Sequence, residues 1–308
     1  MTKELGGIIA ILTTVLLMAM TDALIKVFMG DVSLWQLFLA RSPFVLIMLV
    51  ALAVILPGEK LARAFASFCD PWVLLRSFIV ILMYLFMYMS FPYLHLAVMG
   101  AAVLIAPIFT ALMSALLLRD RVGLRGWIGV ALGFTGVLVI SRPGSDVFQP
   151  AIVLPVIAGL CYSMTAVLTR AKLQHVSTIG VALALNSILL AFSGGLVLLL
   201  TFLPPPEAWV EQLPFMLRAW APMSGSEWGV IIIMAVLTGG LTVLLTLAYQ
   251  IGQTVVIATL EYSYLVFAGL IGFLFLGEVL DGFSVLGMMI LTAAGALVAT
   301  RSATVARR

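Results

Sequence analysis

Charge is the scarcest commodity in this chain. Only 9% of its 308 residues are Asp, Glu, Lys or Arg, against 64% hydrophobic ones. A soluble protein of that length needs far more polar surface than this to stay in solution. The net charge of +3 does not mark a nucleic-acid binder, because the basic residues sit at segment ends rather than in a patch. The two cysteines, Cys69 and Cys161, and the two histidines, His95 and His175, lack the spacing of a metal or redox site. There is no Walker sequence to hold ATP phosphates, no nucleophile motif and no His/Asp cluster. The expectation is therefore neither an enzyme nor an ATP-driven pump, with no cofactor and no metal. The first apolar segment is too long for a signal-peptide core, lacks an A-x-A cleavage site and is followed by further spans, so it is expected to be retained.

What the chain has instead is long apolar runs. Crossing a bilayer takes about 20 apolar residues per helix. Strands of a membrane barrel would be about 10 residues long with alternating polarity, which this sequence does not show. The reading is an all-α polytopic membrane protein of ten transmembrane helices, at roughly 5–29, 33–56, 72–92, 96–118, 124–141, 150–170, 177–203, 227–249, 254–276 and 283–300. Pro, Gly and charge clusters punctuate them. The one long connection, 204–226, carries Trp209 and Trp220 among prolines and acids, and Trp228 follows just beyond it; the connection reads as an interfacial segment.

One stretch occurs twice. From Pro107 to Val139, an apolar run ends in Leu118, Arg119 and Asp120, and Gly129 follows. From Leu265 to Val298, a similar run ends at Glu278, and Gly287 follows at the same distance. Arg119, Arg121 and Arg125 crowd the first turn, while the second has no base and adds Asp281. With a cytoplasmic N-terminus, most Lys and Arg, including Lys60, Arg63, Arg76, Arg170, Lys172 and Arg301, fall on the cytoplasmic side, which predicts N-in/C-in topology. The spans then divide into two five-helix repeats, 1–143 and 150–301. Five is odd, so the second repeat is inverted. Inverted repeats are a signature of secondary transporters, whose halves rock about a site near the midplane.

Ionisable groups inside hydrocarbon cost about 2.5–3.5 kcal/mol on insertion scales, so each needs a partner or a wet cavity. Asp22 and Lys26 are four apart on one face of span one, and Arg41 on span two is within reach of the same end. They read either as a structural ion-pair cluster or as a charge site, where Asp22 takes a substrate amine or Arg41 a carboxylate. Glu261, in the middle of span nine with no neighbouring charge, could take up and release a proton or recognise an amino group. Otherwise it is a neutral carboxyl hydrogen-bonded to a neighbouring helix. Tyr84 and Tyr88 on span three, Tyr162 on span six, and Tyr262 and Tyr264 beside Glu261 are candidates for a cavity wall, since a phenol in a bilayer needs a partner. Tyr249, which ends span eight, belongs to the same group, although taken alone it reads, with Tyr93 and Trp35, as interfacial belt. Pro107 can break span four and free a carbonyl. Gly133, Gly136 and Gly287 give spans five and ten small faces for close packing.

At these residues the sequence resembles the drug/metabolite transporter superfamily, EamA type. That pattern places a Pro, an apolar run, an acid thirteen residues on and a Gly-rich last helix in each repeat. Pro107 to Asp120 fits, and Leu265 to Glu278 fits with the proline lost. Asp22-Ala23 with Lys26, and Gln36 with Arg41, resemble bacterial members of the family. Similarity to the YddG-type amino-acid exporters implies ten helices around a central cavity lined by helices one, three, four, six, eight and nine. Gln36 joins Lys26 and Pro107 as gating or structural positions. The resemblance implies a secondary-active transporter of small, amino-acid-like metabolites in a bacterial inner membrane, working by efflux. Protons are a candidate co-substrate, and monomer and homodimer are both open. Rival readings are uptake of a larger metabolite such as S-adenosylmethionine, or a membrane scaffold or enzyme without transport.

Overall fold

The computed structural model describes residues 3–28, 32–55, 61–103, 105–117, 124–142, 149–252, 256–257 and 260–305. The charged turn 119–121, with the acid Asp120 of the first doubled stretch, lies outside these residues. Among them every regular element is helical. In chain order they are α1 (Lys3–Phe28), α2 (Leu34–Ile55), α3 (Leu61–Ala66), α4 (Pro71–Met89), α5 (Leu96–Val103), α6 (Ala106–Leu117), α7 (Leu124–Ser141), α8 (Val153–Lys172), α9 (Thr178–Phe202), α10 (Glu207–Gln212), α11 (Pro214–Leu217), α12 (Gly225–Ile251), α13 (Ser263–Leu276) and α14 (Gly282–Val305).

Helix starts follow local chemistry. Asp70 caps α4 by accepting from Trp72 N–H at 2.8 Å, with Pro71 in the first turn. Ser177 caps α9, and Ser224 with Glu227 forms a capping box at α12. Gly277, at φ 65°, closes α13 in the left-handed region, and Glu278 N–H bonds back to Gly272 O at 3.0 Å. Between the caps, sequence hydropathy does the rest. The helices α1, α2, α4, α8, α9 and α12 are each long and apolar enough to cross a bilayer, and shorter apolar helices cover Ala131–Ile140, Ser263–Leu276 and Gly282–Ala294. Large apolar side chains such as Ile47, Val54, Phe202 and Phe275 point outward, as lipid-facing positions do. The chain is an all-helical, multi-pass membrane protein.

Two of the expected spans are interrupted. Span four is two helices, α5 and α6. Pro107 has no N–H to give to the carbonyl of Val103, and the freed oxygen lies against α8, where a Cβ on Gly159 would sit 2.5 Å from it. Ser163 Oγ of α8 donates to Ala106 O at 2.7 Å across the same break. Span nine turns at Glu261-Tyr262 before α13 begins, with Tyr264 N–H to Glu261 O at 2.9 Å and Leu265 N–H to Tyr262 O at 3.1 Å, both tight i→i+3 bonds. No proline or glycine among residues 260–265 announces that turn. With Glu278 set against Asp120, Glu261 corresponds to Val103, so the two interruptions fall at matching places.

Helix α1 lies along α12 and α13, and α8 lies along α4, α5 and α6. The pairs α2–α9, α7–α14 and α5–α13 complete the bundle, with α12 touching α2 and α4 touching α9. The α7–α14 contact is close because small residues face each other. A Cβ on Gly136 would meet Gly287 O at 3.0 Å, and one on Gly287 would meet Gly136 O at 2.8 Å. The long connection folds back on the start of α2. Trp35 Nε1 donates to Met216 O at 2.9 Å, Gln36 Nε2 donates to Ala221 O at 2.6 Å, and Gln36 Oε1 accepts from Ala221 N–H at 2.9 Å. Trp35 is thus buried under this segment rather than lying in an exposed belt, whereas Trp209 and Trp220 of the segment are exposed.

Candidate functional site

A cavity of about 80 Å³, room for a handful of waters, opens at the centre of the bundle. Its walls are α1 (Thr14, Val15, Met18, Thr21, Asp22), α4 (Met83, Tyr84, Met87, Tyr88), α5 and α6 around their break (Gly100, Val103, Ala106), α8 (Ala158, Tyr162), α12 (Thr238, Leu241, Leu245) and the span-nine turn (Glu261, Tyr264). Those are the spans that the family resemblance implies. Arg41 of α2 joins them.

Two buried carboxyls face this space, and each is held by two phenols. Asp22 accepts from Tyr264 OH at 3.0 Å and from Tyr88 OH at 3.3 Å. Glu261 accepts on one oxygen from Tyr162 OH at 2.6 Å and from Tyr249 OH at 2.7 Å. Sequence spacing brings Tyr88 to the cavity on the same face of α4 as Tyr84, and their rings stack with centroids 5.7 Å apart. Phe38 packs against both tyrosine rings, and the Arg41 guanidinium lies 4.6 Å over the Phe38 ring. Arg41 is 1% exposed, and its Nε has no hydrogen-bond partner. Tyr264 fits only because Gly100 has no side chain, since a Cβ there would come within 2.2 Å of the ring.

The cluster expected from Asp22, Lys26 and Arg41 does not form as an ion-pair group. Lys26 turns away from Asp22 to Glu278 at 2.6 Å and also donates to Leu94 O at 2.7 Å. Glu278 in turn accepts from Leu96 N–H, the first residue of α5, at 2.9 Å. The reason is geometric. Both Asp22 oxygens are already taken by tyrosines, while Glu278 and Leu94 together offer the lysine two acceptors where α1 ends. Among the described residues the ion pairs are Lys26–Glu278 and Arg142–Asp281. Asp22, Arg41 and Glu261 therefore have no ionic partner among the described residues.

Of the other expected site residues, Tyr262 is buried beside the turn, outside the cavity wall, with its hydroxyl unpartnered. Gln36 clasps the long connection, and Pro107 sits at the break of span four. Tyr93 is exposed at 47%, which suits an interfacial belt. Tyr249 is instead fully inside, on Glu261. Two positions sit more deeply than their sequence context suggests. In sequence Tyr249 is open between cavity wall and interfacial belt because it ends a helix, where tyrosine is usually interfacial; its hydroxyl is on Glu261. Arg76 was counted among the cytoplasmic-side charges, yet it is 4% exposed and lies between α4, α8 and α12. Its place inside an apolar helix, in the second turn after the Asp70-Pro71 start, was the available signal.

Residues 5–142 match the EamA-like transporter family. Over 196 residues the chain is 28% identical to a riboflavin transporter of Rhizobium johnstonii, a match that takes in 63% of this chain and 58% of the relative. It is also 28% identical over 130 residues to a riboflavin transporter of Vibrio cholerae, covering 41% of this chain and 44% of that one. An uncharacterized transporter of Helicobacter pylori matches at 28% over 197 residues, with 63% and 61% covered. These matches thus span 58%, 44% and 61% of the relatives' own lengths. A solved crystal structure superposes over 96% of both chains with a TM-score of 0.65 at 19% identity, which shows the shared fold.

Proposed function

We propose that the protein is a secondary transporter of small organic metabolites, working by alternating access around the central cavity. The observation that carries this reading is the cavity itself. It is an apolar chamber with an unpaired guanidinium, Arg41, and a tyrosine-held carboxyl, Asp22, on its wall, set beside two interrupted spans. Buried polar groups left without ionic partners are what a solute with complementary charges can satisfy. Arg41 would take an acid group, Asp22 an amine, and the Tyr84–Tyr88 and Phe38 rings an apolar or aromatic body. An amino-acid-like zwitterion fits that pattern, moved outward across a bacterial inner membrane. Glu261, with its own pair of phenols, is the natural proton carrier.

The architecture we assign is two inverted repeats, 1–143 and 150–301, with both termini cytoplasmic. The packing supports the division into two exchangeable halves. Exchanging the first five spans for the last five carries α1–α12 onto α8–α4, α1–α13 onto α8 with α5 and α6, and α2–α12 onto α9–α4. The pairs α2–α9, α7–α14 and α5–α13 map onto themselves.

A second solute is favoured by the relatives named riboflavin transporters. A flat ring system would lie against the same aromatic wall. One preparation tests both: counterflow in proteoliposomes with a panel of labelled amino acids and riboflavin, for the unmodified protein and for Arg41→Gln. We expect flux of an amino-acid solute that Arg41→Gln abolishes. Riboflavin flux insensitive to that change would move the assignment to the flavin, and no flux of any solute would sink the transporter reading.

A further inference from the structure

Arg76 has a chemistry of its own that the central cavity does not use. It is a fully enclosed guanidinium, and among the described residues no carboxylate lies in ion-pair reach. Its Nε donates to Thr169 Oγ1 at 2.9 Å and its Nη2 to Thr246 Oγ1 at 3.5 Å. Neither hydroxyl has a proton to spare. Thr169 donates to Thr165 O at 2.7 Å and Thr246 to Thr242 O at 2.8 Å, so both turn lone pairs toward the arginine. Neutral oxygens orient the guanidinium without neutralising it. Its third nitrogen, Nη1, is buried with no hydrogen-bond partner among the described residues.

Beside Arg76 is a separate pocket of about 10 Å³, lined by Arg76, Thr165, Thr169, Thr246, Tyr162 and Tyr249. That volume holds one water-sized atom. Glu261 is hydrogen-bonded to Tyr162 and Tyr249, two of the residues that line this pocket. An unneutralised buried cation, an unused donor and a one-atom space coincide here, and an anion satisfies all three.

We propose that Arg76 is the centre of a second binding site, next to the central cavity, for one small monovalent anionic group: a free halide or one carboxylate oxygen of a solute. The site does not depend on which solute the central cavity takes.

The test uses the full-length protein purified in detergent. Thermal unfolding is followed in sodium gluconate, with chloride, bromide or acetate substituted at constant ionic strength. The site predicts a saturable rise in Tm of about 2–4 °C for the unmodified protein, absent in Arg76→Gln. A rise with halides alone identifies a free inorganic ion. A rise with acetate as well identifies a carboxylate station. No anion-specific rise, or an equal rise in Arg76→Gln, overturns the proposal. If Arg76→Gln does not fold, crystals of the unmodified protein grown in bromide decide: anomalous scattering within hydrogen-bonding distance of Nη1 supports the site, and its absence there refutes it.

Discussion

Glu261 is the residue on which transport energetics should turn. It is 3% exposed, and both of its hydrogen bonds come from phenols, so its carboxyl can exist in either protonation state without a charged neighbour adjusting. Replacing it by Gln keeps the volume and removes the titration. Flux in proteoliposomes should then lose its dependence on pH, and on an imposed proton gradient, while solute binding persists. An unchanged rate and pH profile would remove Glu261 from the coupling step. At the bundle's edge, Asp281 offers a cleaner electrostatic test. The Ser284 side chain, aided by its backbone N–H and by Arg142, holds the Asp281 carboxyl below the usual carboxylate range. A depressed pKa stabilises the folded state above the unfolded value, about 3.9, and the benefit disappears as pH falls through the folded value. Asp281→Asn should therefore lower Tm at neutral pH, and the gap should close below about pH 4. Because this carboxylate is well exposed, added salt should narrow the gap too.

At the scale of elements, helix existence was legible and helix continuity was not. Hydropathy, with Pro, Gly and charge clusters as punctuation, located the long helices, because a bilayer leaves the backbone little alternative to satisfying itself. Pro107 also announced the break in span four through its missing N–H. The matching break at Glu261 had no such mark, since it depends on tyrosines from α8 and α12 that lie 99 and 12 residues away in sequence. Lys26 was misplaced for a similar reason. Spacing on one helix suggested Asp22, while the partner it found, Glu278, comes from the far end of the chain. Glycine patterns were more reliable, as their effect is local to one contact. In Gly287→Val the new side chain would begin 2.4 Å from Ile140 Cγ1 and 2.8 Å from Gly136 O. Prising α7 from α14 should cost about 1–3 kcal/mol, read as a lower Tm and a shift toward aggregate in size-exclusion chromatography. An unaltered Tm would mean that the two helices are not tightly seated.

For the whole molecule the first matter to settle is which way it faces. The free Cys69, exposed just before α4, serves as a native reporter. With the N-terminus inside, it should react in intact spheroplasts with a membrane-permeant maleimide and resist an impermeant one until the membrane is opened. Labelling by the impermeant reagent in sealed spheroplasts would reverse the topology and with it the orientation of both repeats. Cys161 is buried and should stay silent in either case.

The clasp at the start of α2 has a consequence for how the protein is made. Trp35 and Gln36 leave the ribosome early, yet the backbone groups that satisfy them belong to residues 216 and 221, 181 and 185 positions later. During most of synthesis this end of α2 has an indole N–H and an amide with no protein partner. The second helix can therefore be inserted long before it is finished, and its last two polar groups are retired only once α9 has crossed and the connection behind it has folded back. Biogenesis of the first half of the bundle is thus completed by the second.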